Sequence, residues 1–235
     1  ISYRIFGGLA LVWLGIAFSL TGVRGAFVGL VAGLIFFGLG YLFWHRRRHP
    51  RYKLALGLFV LFLVVISLFI IFRKAGFIAN NQILGRLFNI TLTDSTVRSR
   101  LIVWHGIWPS IKDNFWLGVG PQKFDYVFNK YFDPKFYTVI GGETWWDRAH
   151  NMALEVLATM GIIGLLSYLS IGLAVLYSLW RLGQTEPEAR IECLLWFGFF
   201  VAYFIQNLFV FDSTTSYLML AITLAYIVWR TAAAN

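Results

Sequence analysis

Six runs of apolar residues constrain this 235-residue chain more than any other feature of its sequence. They cover residues 3–20, 26–44, 54–72, 152–180, 192–209 and 216–229. A helix that crosses a bilayer needs about 20 apolar residues, so the first and fifth runs are near the short limit, the sixth is below it, and the fourth is long enough to tilt or protrude. Since 59% of the residues are hydrophobic and only 13% are charged, we predict an all-α polytopic membrane protein with about six transmembrane helices.

The charges of the short loops predict the orientation of these helices. Loop 45–53 reads HRRRHPRYK, and short loops rich in Lys and Arg face the cytoplasm. Alternation then divides the chain into three parts: 1–72 with three transmembrane helices, 73–151 as a large extracytoplasmic loop, and 152–235 with three more helices. The net charge of +9 is explained by topology rather than by nucleic-acid binding.

Metal and cofactor signals are missing from the sequence. There is one cysteine, Cys193, and the four histidines do not have zinc-site spacing. We find no Walker loop, no nucleotide-binding glycine motif and no pair of close acids for Mg²⁺. If the chain is an enzyme, its positive charges are therefore arginines, and we predict neither metal nor cofactor.

Short helices are predicted in the long loop 73–151. Val97, Leu101, Trp104, Trp108 and Ile111 recur at spacings of three and four, as the apolar stripe of a helix does. Asp94 or Ser95 is the expected N-cap, and Pro109 is expected to kink or split the helix. A turn is predicted at GVGP, 118–121, and then a second helix with Phe124, Val127, Phe128 and Tyr131 on one face. We expect these helices to lie along the membrane surface.

His150 stands where the long loop re-enters the membrane, at the start of the fourth apolar run. The dipole of a helix N-terminus disfavours imidazolium, so His150 is expected to stay neutral, as a general base requires. Asp147 could orient its ring. In the alternative interpretation, Asp147 or Asn151 only caps the helix and His150 is an interfacial residue.

Two arginines are candidates for binding an anion. Arg24 lies between two apolar runs on the outer side, where topology does not require a positive charge, and arginine binds planar oxyanions such as phosphate well. Arg100 lies on the shoulder of the loop helix, one turn before Trp104, whereas Arg98 projects toward a solvated face. Snorkelling to lipid headgroups remains an alternative for Arg24.

Other polar residues lie close to the same membrane boundary. Glu155, one turn into the fourth run, is expected to pair with Arg148 or another arginine. Gln206 ends the fifth run and is expected to face a cavity or another helix. We keep as candidate substrate-binding residues Arg98, Arg148, Asp147, Asn151 and Gln206.

Four stretches, in order, carry a family likeness. They are LTGVRGAFVGLVAGL with Arg24, STVRSRLIVWHGIWPSIKDNFWLGVGPQKF with Arg100, DRAHNMALEVLATMGIIGLL with His150, and QNLFVFDSTTSYL. The sequence resembles the O-antigen ligase/polymerase-like superfamily of the Wzy C-terminal type. Members of that superfamily are longer and have more spans, so the chain, which begins at Ile1, looks like a C-terminal half.

The resemblance implies a glycosyltransferase of the bacterial cytoplasmic (inner) membrane. The donor would be an undecaprenyl-diphosphate-linked glycan, and the acceptor a hydroxyl of a lipid, a polysaccharide or a protein. His150 would accept the acceptor's proton, and Arg24 and Arg100 would hold the diphosphate. Two alternatives remain open from the sequence: a transporter or flippase of an anionic lipid-linked sugar, and a non-catalytic membrane scaffold that binds glycan.

Overall fold

The computed structural model describes residues 2–45, 51–89, 91, 93–139 and 145–232, and within these all regular structure is helical. The centre of the predicted basic loop, residues 46–50, lies outside the described residues. The α-helices are α1 Ser2–Thr21, α2 Arg24–His45, α3 Tyr52–Ile71, α4 Gly76–Ala79, α5 Gln82–Phe88, α6 Ser95–Gly106, α7 Trp108–Asp113, α8 Phe124–Lys130, α9 Met152–Thr185, α10 Arg190–Asn207 and α11 Thr214–Ala232. Two 3₁₀ turns are added at Pro134–Thr138 and Pro187–Ala189.

Three of the described helices are long and apolar enough to cross a membrane by length and composition: Arg24–Trp44, Tyr52–Ile71 and Met152–Thr185. A shorter apolar helix covers Ile5–Thr21. The predicted all-helical class is therefore confirmed. The other predicted spans are occupied by α1, α10 and α11, and that these cross the membrane stays a prediction.

Helices α2 and α10 approach each other through glycines. A Cβ added to Gly29 would lie 2.5 Å from the carbonyl oxygen of Ala202, and one added to Gly33 would lie 2.4 Å from that of Gly198. Such small residues let helix backbones pack closely in a membrane protein. The contact continues to Gly25, whose added Cβ would lie 3.0 Å from Phe209 Cβ, so it brings the start of α2 beside the end of α10.

The long loop folds around an apolar core of its own. Pro109 lies in the first turn of α7, and the helix predicted over this region is split at Ile107, as expected. The predicted face of α8 is confirmed, with Phe124, Val127 and Phe128 buried. The buried core comprises Val103, Ile107, Ile111, Phe124, Val127, Phe128, Phe136, Trp146, Ala149 and Ala158.

The stripe predicted for α6 was incomplete. Leu101 and Trp108 are 49% and 46% exposed, whereas Ser99, Val103 and Ile107 supply the face that packs into the core. The spacing pattern had assigned the bulky Leu101 and Trp108 to the buried face. In the structure, Ser99, Val103 and Ile107 are buried instead. Leu101 on α6 and Trp108 on α7 therefore form a second apolar face, which is exposed.

Helix α9 is interrupted at Gly161, which the sequence did not predict. Gly161 has φ +66° and ψ −170°, a conformation outside the helical region. The amides of Ile162 and Ile163 donate instead to the carbonyls of Phe115 and Trp116, at 2.8 and 3.4 Å. The chain segment before α8 thus replaces the missing helical hydrogen bonds.

The same segment also bonds to the helix on the N-terminal side of the break. Val119 and Gly120 donate their amides to the carbonyls of Ala158 and Thr159, at 3.2 and 2.8 Å. Since Ala158 also belongs to the loop core, the first part of α9 is packed as part of the loop. The long span predicted over 152–180 is thus present as a helix that could cross a membrane, but it contains a break at residue 161. The residues before the break pack with the loop, next to His150.

Candidate functional site

His150 has a backbone conformation that is uncommon for residues other than glycine. Its φ is +52°, in the left-handed region, and Gln122 is the other described non-glycine residue with a positive φ. Strained backbone of this kind is concentrated at functional sites because surrounding contacts must hold it. Here the ring packs on Trp146, with centroids 4.3 Å apart, and meets Phe211 edge-on at 5.2 Å.

The hydrogen bonding of the His150 ring indicates a tautomer. Nδ1 lies 3.2 Å from the carbonyl oxygen of Arg148. A carbonyl can only accept, so this bond requires a proton on Nδ1; in the neutral form of the ring, the unprotonated nitrogen is then Nε2. The group found at Nδ1 is a backbone carbonyl, and a role of the exposed Asp147 in orienting the ring stays a prediction.

Asn151 caps the helix that follows. It is the N-cap of α9, and its Oδ1 accepts the amide of Leu154 at 3.0 Å. The capping alternative of the sequence is thus correct for Asn151, which is 9% exposed and has a structural role. His150 is left just before the cap, outside the helix.

A buried carboxylate fixes the two residues before His150. Glu155 is 5% exposed; its Oε1 lies 3.1 Å from Nη1 of Arg148, and its Oε2 accepts the amide of Ala149 at 2.6 Å. The predicted Glu155–Arg148 pair is confirmed. Trp104 adds a third bond by donating Nε1 to the carbonyl oxygen of Ala149 at 2.8 Å.

Arg24 and Arg100, distant in sequence, line one cavity of about 410 Å³. Arg86 and Asp94 line it as well, with Phe209 and Val210 on its apolar side. The cavity thus lies between the start of α2, the end of α5, the start of α6 and the chain after α10. Its charged groups are three arginines and one aspartate, which makes it suitable for an anion.

Two bonds hold the Arg24 side chain. Its Nε donates to the carbonyl oxygen of Arg86 at 2.7 Å, and its Nη1 lies 2.6 Å from Oδ2 of Asp94. Asp94 occupies the predicted N-cap position of α6 but makes no side-chain capping bond. The hydrogen bond from Thr91, together with Arg24, holds the pKa of the Asp94 carboxyl below its ordinary value.

Arg86 is a cavity residue that the sequence analysis missed. It lies in the last turn of α5, a helix capped by Asn81. Phe88 anchors this helix to the transmembrane part by contacts with Phe27 and Phe69, at centroid distances of 5.2 and 5.0 Å. The signal available in the sequence was a lone arginine in a short apolar helix, which carries little information without the fold.

His150 does not line the cavity itself. Its ring contacts Phe211, and Phe211 follows Val210, which does line the cavity. The candidate base therefore lies beyond the apolar wall at the C-terminal end of α10. Arg98, by contrast, is exposed and does not line the cavity, in agreement with the solvated face predicted for it.

The C-terminal end of α10 carries further polar side chains. Oδ2 of Asp212 accepts hydrogen bonds from Tyr203 at 2.7 Å and from Asn207 at 3.2 Å. Asp212 is 8% exposed, and its Oδ1 has no hydrogen-bond partner among the described residues. Gln206 is half-buried beside these residues, and its carbonyl oxygen lies 3.7 Å from a Cβ added to Gly25.

This arrangement has two chemical capabilities. The arginine-lined cavity can bind an anion such as a phosphate ester, and the imidazole of His150, in its neutral form, can accept a proton. In the described residues, no group of His, Cys, Asp and Glu side chains could hold a metal ion. The loop core holds His150 in place, and the contact between α2 and α10 positions one wall of the cavity.

Comparison with known proteins gives one match. The family model described as O-antigen ligase, of the Wzy C-terminal type, matches residues 9–169, which is about two thirds of the chain. This range includes Arg24, Arg86, Arg100 and His150. No curated protein and no solved structure matches the chain.

Proposed function

The chain belongs to the O-antigen ligase family, and we propose that it transfers a glycan from a lipid diphosphate to an acceptor hydroxyl. The donor is an undecaprenyl-diphosphate-linked glycan, and the acceptor is a lipid, a polysaccharide or a protein. The observation that carries the proposal is the convergence of Arg24 and Arg100 on one cavity. That cavity lies beside the loop–helix junction that holds His150 in a left-handed conformation.

The proposed topology places this site at the outer face of the bacterial cytoplasmic membrane. Residues 1–72 and 152–235 each supply three transmembrane helices, with the basic loop 45–53 in the cytoplasm and 73–151 outside. The aromatic residues around His150 and the exposed Leu101 and Trp108 support a position at the lipid–water boundary. A lipid-linked donor presents its diphosphate at that level.

In the proposed reaction, Nε2 of His150 takes the proton of the acceptor hydroxyl. The acceptor oxygen then forms a bond to the anomeric carbon of the donor sugar, and the bond from that carbon to the diphosphate oxygen breaks. The electron pair of the broken bond leaves with the lipid diphosphate. Arg24 and Arg100 stabilise the negative charge that develops there, as oriented cations do in other group transfers.

Replacing His150 tests this proposal. The assay is glycan transfer in membranes that carry the full-length protein, measured as loss of the lipid-linked donor and appearance of glycosylated acceptor. We use two variants, His150→Ala and His150→Asn, because asparagine tolerates the left-handed backbone that His150 adopts. The matched control is His105→Ala, an exposed histidine on α6.

We expect both His150 variants to lower transfer by about 10²–10⁴-fold, which is the usual contribution of a general base. The control should transfer glycan at the wild-type rate, and all proteins should be present in equal amounts. Unchanged transfer by His150→Asn would refute a role as base and would favour a transporter or a non-catalytic scaffold.

A further inference from the structure

Arg86 is held in place by contacts on two sides. Its stem packs over the turn between α1 and α2, where a Cβ added to Gly22 would lie 3.4 Å from Cδ of Arg86. Its backbone carbonyl accepts the bond from Arg24. The arginine therefore has a defined position in the cavity wall although its side chain is exposed.

The cavity's arginines differ in their acidic partners. Asp94 neutralises Arg24 at 2.6 Å. Among the residues that the structure describes, no carboxylate lies within ion-pair distance of the Arg86 guanidinium, and the four ion pairs found there involve other arginines: Arg24, Arg148 and Arg230. Arg86 thus presents a positive charge that no carboxylate of the described residues balances.

The charge of the cavity also fits a particular ligand. Among its described lining residues, three arginines and one aspartate carry two net positive charges. A diphosphate esterified at both ends keeps one ionised oxygen on each phosphorus, so its charge is equal and opposite. Without Arg86, these lining residues would carry one net positive charge, which is half of the charge of the diphosphate.

We propose that Arg86 is a third phosphate-binding residue of the donor site. This inference rests on the proposed function. Arg86 supplies the second net positive charge that matches the two negative charges of the diphosphate. The guanidinium of Arg86 contacts the diphosphate directly, because it can bind phosphate without first leaving a carboxylate. Arg24 shares its guanidinium between Asp94 and the ligand.

Inorganic pyrophosphate is the probe for this site, since it carries the phosphates without lipid or sugar. Binding is measured by calorimetry on the purified full-length protein, for wild type, Arg86→Gln, Arg86→Lys and Arg24→Gln. The matched control is Arg181→Gln, which removes the same charge from an exposed position near the C-terminal end of α9. The KM for the lipid-linked donor is measured alongside.

We expect Arg86→Gln to weaken pyrophosphate binding about tenfold, as the loss of one charge-assisted hydrogen bond does. Arg86→Lys should fall between it and wild type, and Arg181→Gln should match wild type. The donor KM should rise in Arg86→Gln in proportion to the loss in binding.

Two other results would overturn the inference in different ways. If Arg86→Gln binds like Arg181→Gln while Arg24→Gln loses binding, the donor site stands and Arg86 has no part in it. If wild type shows no pyrophosphate binding that Arg24→Gln removes, the anion site as a whole is wrong, and the proposed donor site fails with it.

Discussion

The carboxylate of Glu155 accepts a hydrogen bond from the amide of Ala149 at 2.6 Å, and this bond ties the loop end to the helix that follows it. Ala149 is fully buried, so its amide has no access to water as a replacement partner. The other oxygen of Glu155 holds Arg148. One buried side chain thereby determines the path of the backbone into His150.

Glu155→Ala should lower the free energy of unfolding by about 1–3 kcal/mol, because it leaves the buried Ala149 amide without an acceptor. Glu155→Gln should cost less, since its carbonyl oxygen can still accept that bond while only the ion pair with Arg148 is lost. Thermal unfolding of the full-length protein measures both. Glu188→Gln, at an exposed position, is the control, and an equal loss in all three variants would contradict the role of this bond.

Trp104 holds the same loop end from the side of α6. Trp104→Phe keeps an aromatic ring but removes the Nε1 donor to the Ala149 carbonyl, so we expect a loss of about 1 kcal/mol in unfolding free energy and slower glycan transfer. Trp116→Phe is a matched control because Trp116 is 67% exposed. Transfer rates of the two variants are compared at equal protein levels; equal rates would mean that the Trp104 bond does not position His150.

Much of the helical architecture could be predicted from hydropathy and spacing, because apolar runs and capping residues act locally. The split at Pro109, the cap at Asn151 and the Glu155–Arg148 pair all involve residues close together in sequence. Arg24 and Arg100, which the sequence offered as candidates, line one cavity in the structure, and their role in binding an anion stays a prediction.

The parts that could not be predicted depend on contacts between distant segments. Asp94 was correctly placed at the start of α6, yet its carboxylate bonds to Arg24, 70 residues away, instead of capping the helix. Arg86 lines the cavity because α5 packs against α2 and α3, and these contacts join distant parts of the sequence. The break at Gly161 requires carbonyls from Phe115 and Trp116, and a glycine in an apolar run gives no sign of them.

The Arg24–Asp94 pair should show a defined pH dependence. Because the folded pKa of Asp94 lies below its ordinary value of 3.8, the pair contributes stability that is fully present above that value and is lost as pH falls through the lowered pKa. The difference in melting temperature between wild type and Asp94→Asn should therefore stay constant from pH 8 to about pH 5 and shrink only below about pH 4. A difference that already vanishes near pH 6 would show that Asp94 is not held ionised by Thr91 and Arg24.

Gly161 gives the sharpest test of the interrupted helix. A Cβ at this position would lie 2.3 Å from the carbonyl oxygen of Trp116, and the residue would also have to keep its φ of +66°. Gly161→Ala should therefore either destabilise the protein by several kcal/mol or separate the loop from α9, because strain and overlap of this size cannot both be relieved locally (each costs about 1–3 kcal/mol).

Gly172→Ala is the matched control: it lies in the same helix with no atom within 4 Å of an added Cβ, and alanine favours helix by about 1 kcal/mol. Thermal unfolding and glycan transfer of the two variants separate the cases. If Gly161→Ala and Gly172→Ala have the same melting temperature and the same rate of glycan transfer, then α9 passes through residue 161 as a continuous helix. The hydrogen bonds between the loop and α9 would then not position His150.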